Sequence, residues 1–266
     1  MTPSIPLIGL GTAPIVDVDW AALVAQAVEL GYTHVDTAQL YQNEAEVGAG
    51  LATADPEDTV HLTTKIHQDR FRDGTALESA RISVDKLGRV PDLMLVHWPP
   101  RGLETARVID QILEVQAEGL TRSIGVSNFN RPQMRAAAAV APIATNQVEF
   151  HVLIDQTALK TQADALGVPL TAYMPVARGK AFAPAEVQQI AQARAMSPAQ
   201  VVLRWIVQKG VIAIPLSTKT ANLKDNLAVL NRALTEGDMT ALDAVAAREN
   251  SRFCSREDWD PVWDAE

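Results

Sequence analysis

Short runs rich in β-branched and other apolar residues alternate with longer segments of 3.6-residue apolar periodicity along the whole chain. The short runs predict strands over residues 7–10, 34–36, 60–65, 93–97, 123–126, 145–148, 170–173 and 211–214. The periodic segments predict helices over residues 20–30, 44–52, 75–87, 104–118, 132–139, 156–166 and 197–208. Gly88 and Gly167 stand just past periodic segments, where a residue tolerating positive φ ends a helix. Ser197-Pro198 supplies the opposite signal, an N-cap followed by Pro at the first helical position.

Eight strands separated by helices predict a (β/α)8 TIM barrel, one domain over residues 1–266, rather than a doubly wound sheet. No Gly-x-Gly-x-x-Gly fingerprint follows an early strand; Gly9-Leu10-Gly11-Thr12 is too short and opens no helix.

Composition narrows the picture. With 47% hydrophobic residues the chain can bury one large core, and a formal charge of -9 disfavours binding to nucleic acid or to an anionic membrane. One cysteine, Cys254, allows no internal disulfide, and no Cys/His spacing suggests a metal site. The start, Met1-Thr2-Pro3-Ser4-Ile5-Pro6, lacks the basic and apolar regions of a signal peptide, and no apolar run reaches membrane-spanning length. A cytoplasmic location is expected.

Two residues resist an explanation by packing. Lys65 closes Val60-His61-Leu62-Thr63-Thr64-Lys65, and His97 closes Leu93-Met94-Leu95-Val96-His97. In a parallel barrel both emerge at the C-terminal rim, where barrels place their chemistry. Taken singly, a lysine there can be a solvated strand end and a histidine a satisfied core residue.

The ordered blocks around them carry a resemblance. Asp36-Thr37-Ala38-Gln39-Leu40-Tyr41-Gln42-Asn43-Glu44, Leu62-Thr63-Thr64-Lys65, Val96-His97-Trp98-Pro99, Ile124-Gly125-Val126-Ser127-Asn128-Phe129 and Asn146-Gln147-Val148-Glu149 follow one another as in the aldo-keto reductase family, which the chain resembles over nearly its whole length. The resemblance implies a catalytic tetrad of Asp36, Tyr41, Lys65 and His97. Tyr41 is expected to protonate the carbonyl oxygen while a nicotinamide supplies hydride. A free phenol, with a pKa of about 10, is a poor acid at neutral pH. An ammonium at roughly 4 Å, at an effective dielectric near 20, contributes about 4 kcal/mol, on the order of three pK units, so Lys65 is expected to tune the acid. Asp36 is expected to hold Lys65, and His97 to orient the substrate oxygen.

For the cofactor, the resemblance implies that Ser127, Asn128 and Gln147 hold the carboxamide, that Tyr173 stacks on the ring, that Pro175, after Met174, also binds the cofactor, and that Ser217, Thr218, Lys219, Asn222 and Asn226 meet the adenosine end. Leu216 and Asn222 stand where many members carry Lys and Arg for the 2′-phosphate, a departure that predicts NADP(H) use with a reduced margin over NADH. The same segment and the Tyr173-Met174 pair resemble the bacterial diketogluconate reductase type B subgroup, which makes 2,5-diketo-D-gluconate and methylglyoxal candidate substrates.

Trp98 is expected to wall the substrate pocket, or else to sit in a buried turn. The short loop Pro99-Pro100-Arg101-Gly102-Leu103 predicts an open site, and the tail from Asn250 to Trp263, aromatic but without helical period, predicts a strap over the barrel rim. Arg252 and Arg256 are the tail's candidates for a substrate carboxylate. The expected protein is a monomeric NADPH-dependent reductase of small aldehydes and ketones. The alternatives are a non-catalytic nicotinamide-binding regulatory subunit on the same barrel and a barrel isomerase using Lys65 as a Schiff base.

Overall fold

Alternation along each strand decides which side chains face the barrel axis and which face the helices. The computed structural model describes residues 5–15 and 17–263; the first four residues of the amino-terminal stretch discussed above lie outside that set. Eight strands pair in parallel and in chain order: β1 Leu10–Gly11, β2 His34–Asp36, β3 His61–Ile66, β4 Leu93–Val96, β5 Ser123–Ser127, β6 Asn146–Glu149, β7 Leu170–Tyr173 and β8 Ile212–Ala213. Gly9 N–H donates to Ala213 O at 2.9 Å and Ala213 N–H to Leu7 O at 2.8 Å, which joins the last strand to the first. The fold is the expected (β/α)8 barrel.

Register sorts the side chains. Asp36 lies beside Thr63, Lys65 beside Leu95, Ser127 beside Gln147 and Glu149 beside Tyr173. Gln147 of β6 donates to Asp36 of β2 at 2.7 Å, a bond that strands so far apart in order make only across the axis. The axis is therefore lined largely by polar and small side chains. Their neighbours Leu10, Val35, Leu62, Met94, Val126 and Val148 face outward and are buried. The apolar core is a ring between sheet and helices, and each side chain fully buried in it contributes roughly 1.5–3 kcal/mol. Gly125 belongs to the axis face because nothing larger fits: a Cβ there would lie 2.7 Å from Leu95 Cδ2 and 2.8 Å from Thr145 O.

The helices, among the described residues, are α1 Trp20–Glu29, α2 Glu44–Ala54, α3 Gln68–Arg72, α4 Ala76–Leu87, α5 Thr105–Ala117, α6 Arg131–Val140, α7 Thr157–Leu166, α8 Ala185–Arg194, α9 Pro198–Gln208, α10 Thr220–Ala228 and α11 Glu236–Glu249. Ser197 caps α9 as expected: its Oγ accepts from Gln200 N–H at 3.2 Å, while Gln200 Oε1 accepts from Ser197 N–H at 3.0 Å. α9 then buries Val201, Val202, Leu203, Trp205, Ile206 and Val207, which leaves it hardly any solvent face.

Four helices, α3, α8, α10 and α11, went unpredicted, and several strand ends move because the hydrogen-bond ladder, not residue type, sets them. The first strand starts at Leu10 rather than 7, β4 stops at Val96 and leaves His97 just beyond it, and β6 runs one residue further, to Glu149. No helix among the described residues is long and apolar enough to cross a membrane.

Candidate active site

The C-terminal ends of β2 and β3 bring Asp36 and Lys65 together on the axis. Lys65 has no exposed surface, and its Nζ donates to Asp36 Oδ1 at 2.5 Å and to the Thr37 carbonyl at 2.8 Å. Asp36 Oδ2 accepts from Gln147, so both carboxylate oxygens are occupied. Burial works against the ammonium, but the Asp36 carboxylate and the Tyr41 phenol more than offset it and hold the Lys65 pKa above its ordinary value.

Tyr41 ends a short 3-10 turn, Gln39–Tyr41, after β2. Lys65 Nζ stands 5.0 Å from the centre of its ring, and the His97 ring meets it edge-on with centroids 5.8 Å apart. The turn is tied down by Gln39, whose Nε2 donates to Ser79 O at 3.0 Å and Ser83 Oγ at 2.9 Å, and whose Oε1 accepts from His67 N–H at 3.0 Å and Ser79 Oγ at 3.1 Å. Burial raises the Tyr41 pKa, and Lys65 lowers it as expected but by less, so the phenol lies above its ordinary value.

His97 is buried and its Nδ1 has no hydrogen-bond partner. Burial, and then the Lys65 charge, hold its pKa well below the usual histidine range, so the ring is neutral at pH 7. Tyr41, Lys65 and His97 thus converge on one spot, with Asp36 beneath the lysine.

Ser127, Asn128, Gln147 and Tyr173 form one connected group beside it. Asn128, in the left-handed region at φ 62°, donates from Nδ2 to His97 O at 3.2 Å and to Ser127 Oγ at 3.1 Å, and its Oδ1 accepts from Tyr173 O–H at 2.8 Å. Ser127 O–H donates in turn to Gln147 O at 2.9 Å. After β7 the backbone is strained, with Met174, Ala177 and Arg178 all at positive φ, and Pro175 is buried.

The adenosine-end candidates follow β8, next to β7 in the sheet. Ser217 Oγ accepts from Lys219 N–H at 3.2 Å and Asn222 Nδ2 at 3.1 Å, and Thr218 and Lys219 are exposed at the N-terminus of α10. Leu216 packs on the core. Asn226 is buried on α10 beside the Tyr32 hydroxyl, which donates to Leu223 O and whose pKa burial pushes up to about 12.

The expectation of an open site fails. The loop after β4 is short, but the tail covers it. Trp98 is buried, with Trp259 and Trp263 at 6.0 and 6.2 Å between ring centres, and His67 meets Trp259 at 5.4 Å. Arg101 holds the tail by donating to the Glu257 carbonyl at 2.5 Å. Arg252 stacks on Trp263 at 3.6 Å and Arg256 lies 5.5 Å from the Trp259 ring. A groove of about 750 Å³ lies elsewhere, lined by Leu40, His67, Arg70, Ser79, Ile82 and Lys86; it is the back of the Tyr41 turn and contains none of the converging groups.

Two buried residues that the sequence reading did not assign belong to the same rim. Glu149 and His151 are fully buried, with His151 Nε2 2.9 Å from Glu149 Oε1. The signal for Glu149 is the one that marked Lys65, a charge closing a buried strand.

Comparison with known proteins agrees with this geometry. A model of the Aldo/keto reductase family matches residues 7–247. A methylglyoxal reductase DkgB of Yersinia pestis is 39% identical over 268 residues, covering 98% of this chain and 100% of the relative. An aldo-keto reductase of Mycobacterium sp. (strain MCS) is 35% identical over 94% of this chain and 89% of the relative. A crystal structure assigned provisionally as 2,5-diketo-D-gluconic acid reductase B superposes with a TM-score of 0.93 at 41% identity, covering 98% of this chain and 94% of that one. The aldose reductase of Schistosoma japonicum gives 0.90 at 27% identity, covering 98% and 97%.

Proposed function

The chain belongs to the aldo/keto reductase family, an oxidoreductase family, and from that premise we propose that it reduces small aldehydes and ketones with NADPH, using Tyr41 as the proton donor. One observation carries the reading: Lys65, fixed by Asp36, stands 5.0 Å from the Tyr41 ring while a neutral His97 meets that ring edge-on.

The residues fit the cofactor. The exposed Thr218 and Lys219, with the free N–H groups of the first turn of α10, suit a phosphate, and Tyr173 beside Asn128 and Gln147 suits a planar amide-bearing ring. When bound, the nicotinamide supplies hydride. Tyr41 delivers the proton to the carbonyl oxygen, Lys65 stabilises the phenolate left behind, and His97 orients the oxygen by donating a hydrogen bond. Trp98 walls the pocket. A phenol whose pKa lies above its ordinary value keeps its proton until the substrate oxygen gains charge.

Tyr41→Phe is expected to lower kcat by orders of magnitude while NADPH still binds, read by steady-state kinetics and by quenching of protein fluorescence. Unchanged turnover would overturn the assignment. Methylglyoxal and 2,5-diketo-D-gluconate are the first substrates to assay, following the names of the relatives. Cofactor choice is read from kcat/KM. Leu216 and Asn222 remove two cations from the 2′-phosphate position, each worth roughly 1.5–3 kcal/mol, and Lys219 retains one. NADPH is expected to be preferred by a narrow margin, and a ratio favouring NADH would reverse it. We read the enzyme as a cytoplasmic monomer formed of one barrel domain. The regulatory-subunit reading requires the four converging residues to have no catalytic role, and nothing in their geometry favours that.

A further inference from the structure

Glu149 ends β6 with its side chain on the axis face and no exposed surface, and none of its carboxylate hydrogen bonds goes to Asp36, Tyr41, Lys65 or His97. Its partners come from elsewhere. Oε1 accepts from Phe253 N–H at 2.7 Å, Oε2 accepts from Cys254 N–H at 2.9 Å, and Arg252 Nη1 stands 3.8 Å from Oε2. Three successive tail residues thus converge on one buried carboxylate. The remaining partner is His151, whose Nδ1 accepts from Leu153 N–H at 3.2 Å, which leaves Nε2 to carry the proton and donate to Glu149.

We propose that Glu149 is the positioning residue that controls substrate selection, by fastening the tail so that Trp259 and Trp263 reach Trp98 and close the pocket's outer wall. The assignment rests on the reading that carbonyl reduction takes place beside Tyr41 and His97. A carboxylate in so buried a place is costly unless every lone pair is used, and an apolar side chain would fill the end of β6 without that cost. What the carboxylate adds is register. Two adjacent N–H groups bound to its two oxygens fix which tail residue sits over β6, whereas apolar packing alone tolerates sliding. Of the other bonds to the tail, those from Arg101 to the carbonyls of Glu257 and Asp260 are exposed, and those from Asn130 to the carbonyl of Val262 and from Ser251 N–H to Leu153 O each hold a single point along it. Phe253 adds a seat for the latch, with its ring 5.4 Å from His151 and 4.2 Å below Lys180 Nζ.

The test compares wild type, Glu149→Gln, Trp259→Ala and the double variant, each with methylglyoxal and with an aromatic aldehyde. Glu149→Gln is expected to raise KM for the aromatic aldehyde by about tenfold, the scale of one or two lost aromatic contacts, with kcat and NADPH affinity nearly unchanged and methylglyoxal little affected. In the Trp259→Ala background the same substitution should add less than it does alone, because both act through one wall of which Trp263 is the remaining part. An unchanged KM, or a full effect persisting without Trp259, overturns the proposal. Tail release is read independently of turnover as the rate of tryptic cleavage after Arg256 in the native protein, which should rise in Glu149→Gln; an unchanged rate also overturns the proposal. If Glu149→Gln does not fold, Phe253→Pro removes one of the two N–H donors while leaving the barrel sequence whole, and the same expectations apply. A wild type inactive on every aldehyde refutes the catalytic reading and with it the role in selection, while the cleavage rate still shows whether the latch exists.

Discussion

Buried without exposed surface, the Lys65 ammonium has Asp36 Oδ1 at 2.5 Å and the Thr37 carbonyl at 2.8 Å in place of hydration. Lys65→Met therefore has two separable effects. It removes the stabiliser of the phenolate, and it strands the Asp36 carboxylate in the axis with Gln147 as its remaining partner. The second effect is expected to cost about 3–5 kcal/mol, measured by urea unfolding, and Lys65→Met with Asp36→Asn should recover much of it, since removing both charges leaves none unpaired. No recovery would mean that the pair contributes packing rather than charge balance. At this scale the sequence is informative wherever a polar side chain closes a predicted strand, as Lys65 and His97 do. Glu149 obeys the same rule but lies one residue past the strand end predicted at 148, so the rule does not mark it. The net shift on Tyr41 was not legible at all, because it depends on burial by elements distant in sequence.

Between elements, α2 approaches the C-terminal end of α4 too closely at Gly48 for any side chain. A Cβ on Gly48 would lie 2.4 Å from the carbonyl oxygen of Leu87, and backbone cannot swing aside as a side chain can. Gly48→Ala is expected to destabilise by about 1–3 kcal/mol, seen as a lower Tm. It should also lower kcat, because α2 follows the turn that carries Tyr41 and its first residue, Glu44, accepts from Thr64 O–H beside Lys65 at 2.7 Å. A lower Tm with unchanged kcat would show that the turn is held by Gln39 alone. The predicted elements that held were those with strong periodicity or strong caps, such as α9. α8 and α11 each bury only three side chains, so their sequences carry little apolar period, and the five-residue α3 carries less still. Their places are set by what they pack on.

Taken as a whole, the barrel is uneven along its axis. Opposite the candidate active site, toward the N-terminal ends of β2 and β3, His34 and His61 pack edge to face at 5.1 Å, with His34 Nδ1 and His61 Nε2 unpartnered. Burial holds the pKa of both down, His34 well below the ordinary value. Above the unfolded histidine pKa of about 6.5 neither state binds the proton, and stability does not depend on it. Below that pH the unfolded chain binds protons that the native one refuses, so stability falls as pH falls, by up to about 1.4 kcal/mol per pH unit for each such histidine. His67 and His97 shift in the same direction. Carboxylates act lower: hydrogen bonds from Thr59, Val60 and Arg89 overcome burial and hold Asp55 at about 2, so its contribution is lost only as pH falls from about 4. Urea midpoints at pH 7.5 and 5.5 should therefore differ clearly, and His61→Gln should narrow the gap; an equal gap would rule that histidine out as a source.

The three tryptophans at the mouth also give the molecule an optical property. Trp98 lies 6.0 Å from Trp259 at a tilt of 55° and 6.2 Å from Trp263 at 70°, close enough and oblique enough for their indole transitions to couple. Such coupling produces a paired positive and negative band in circular dichroism that isolated indoles lack. The coupling falls as the inverse cube of the separation, so the band pair weakens steeply as the rings part, and the protein reports in its own ultraviolet spectrum, without any label, whether its mouth is closed.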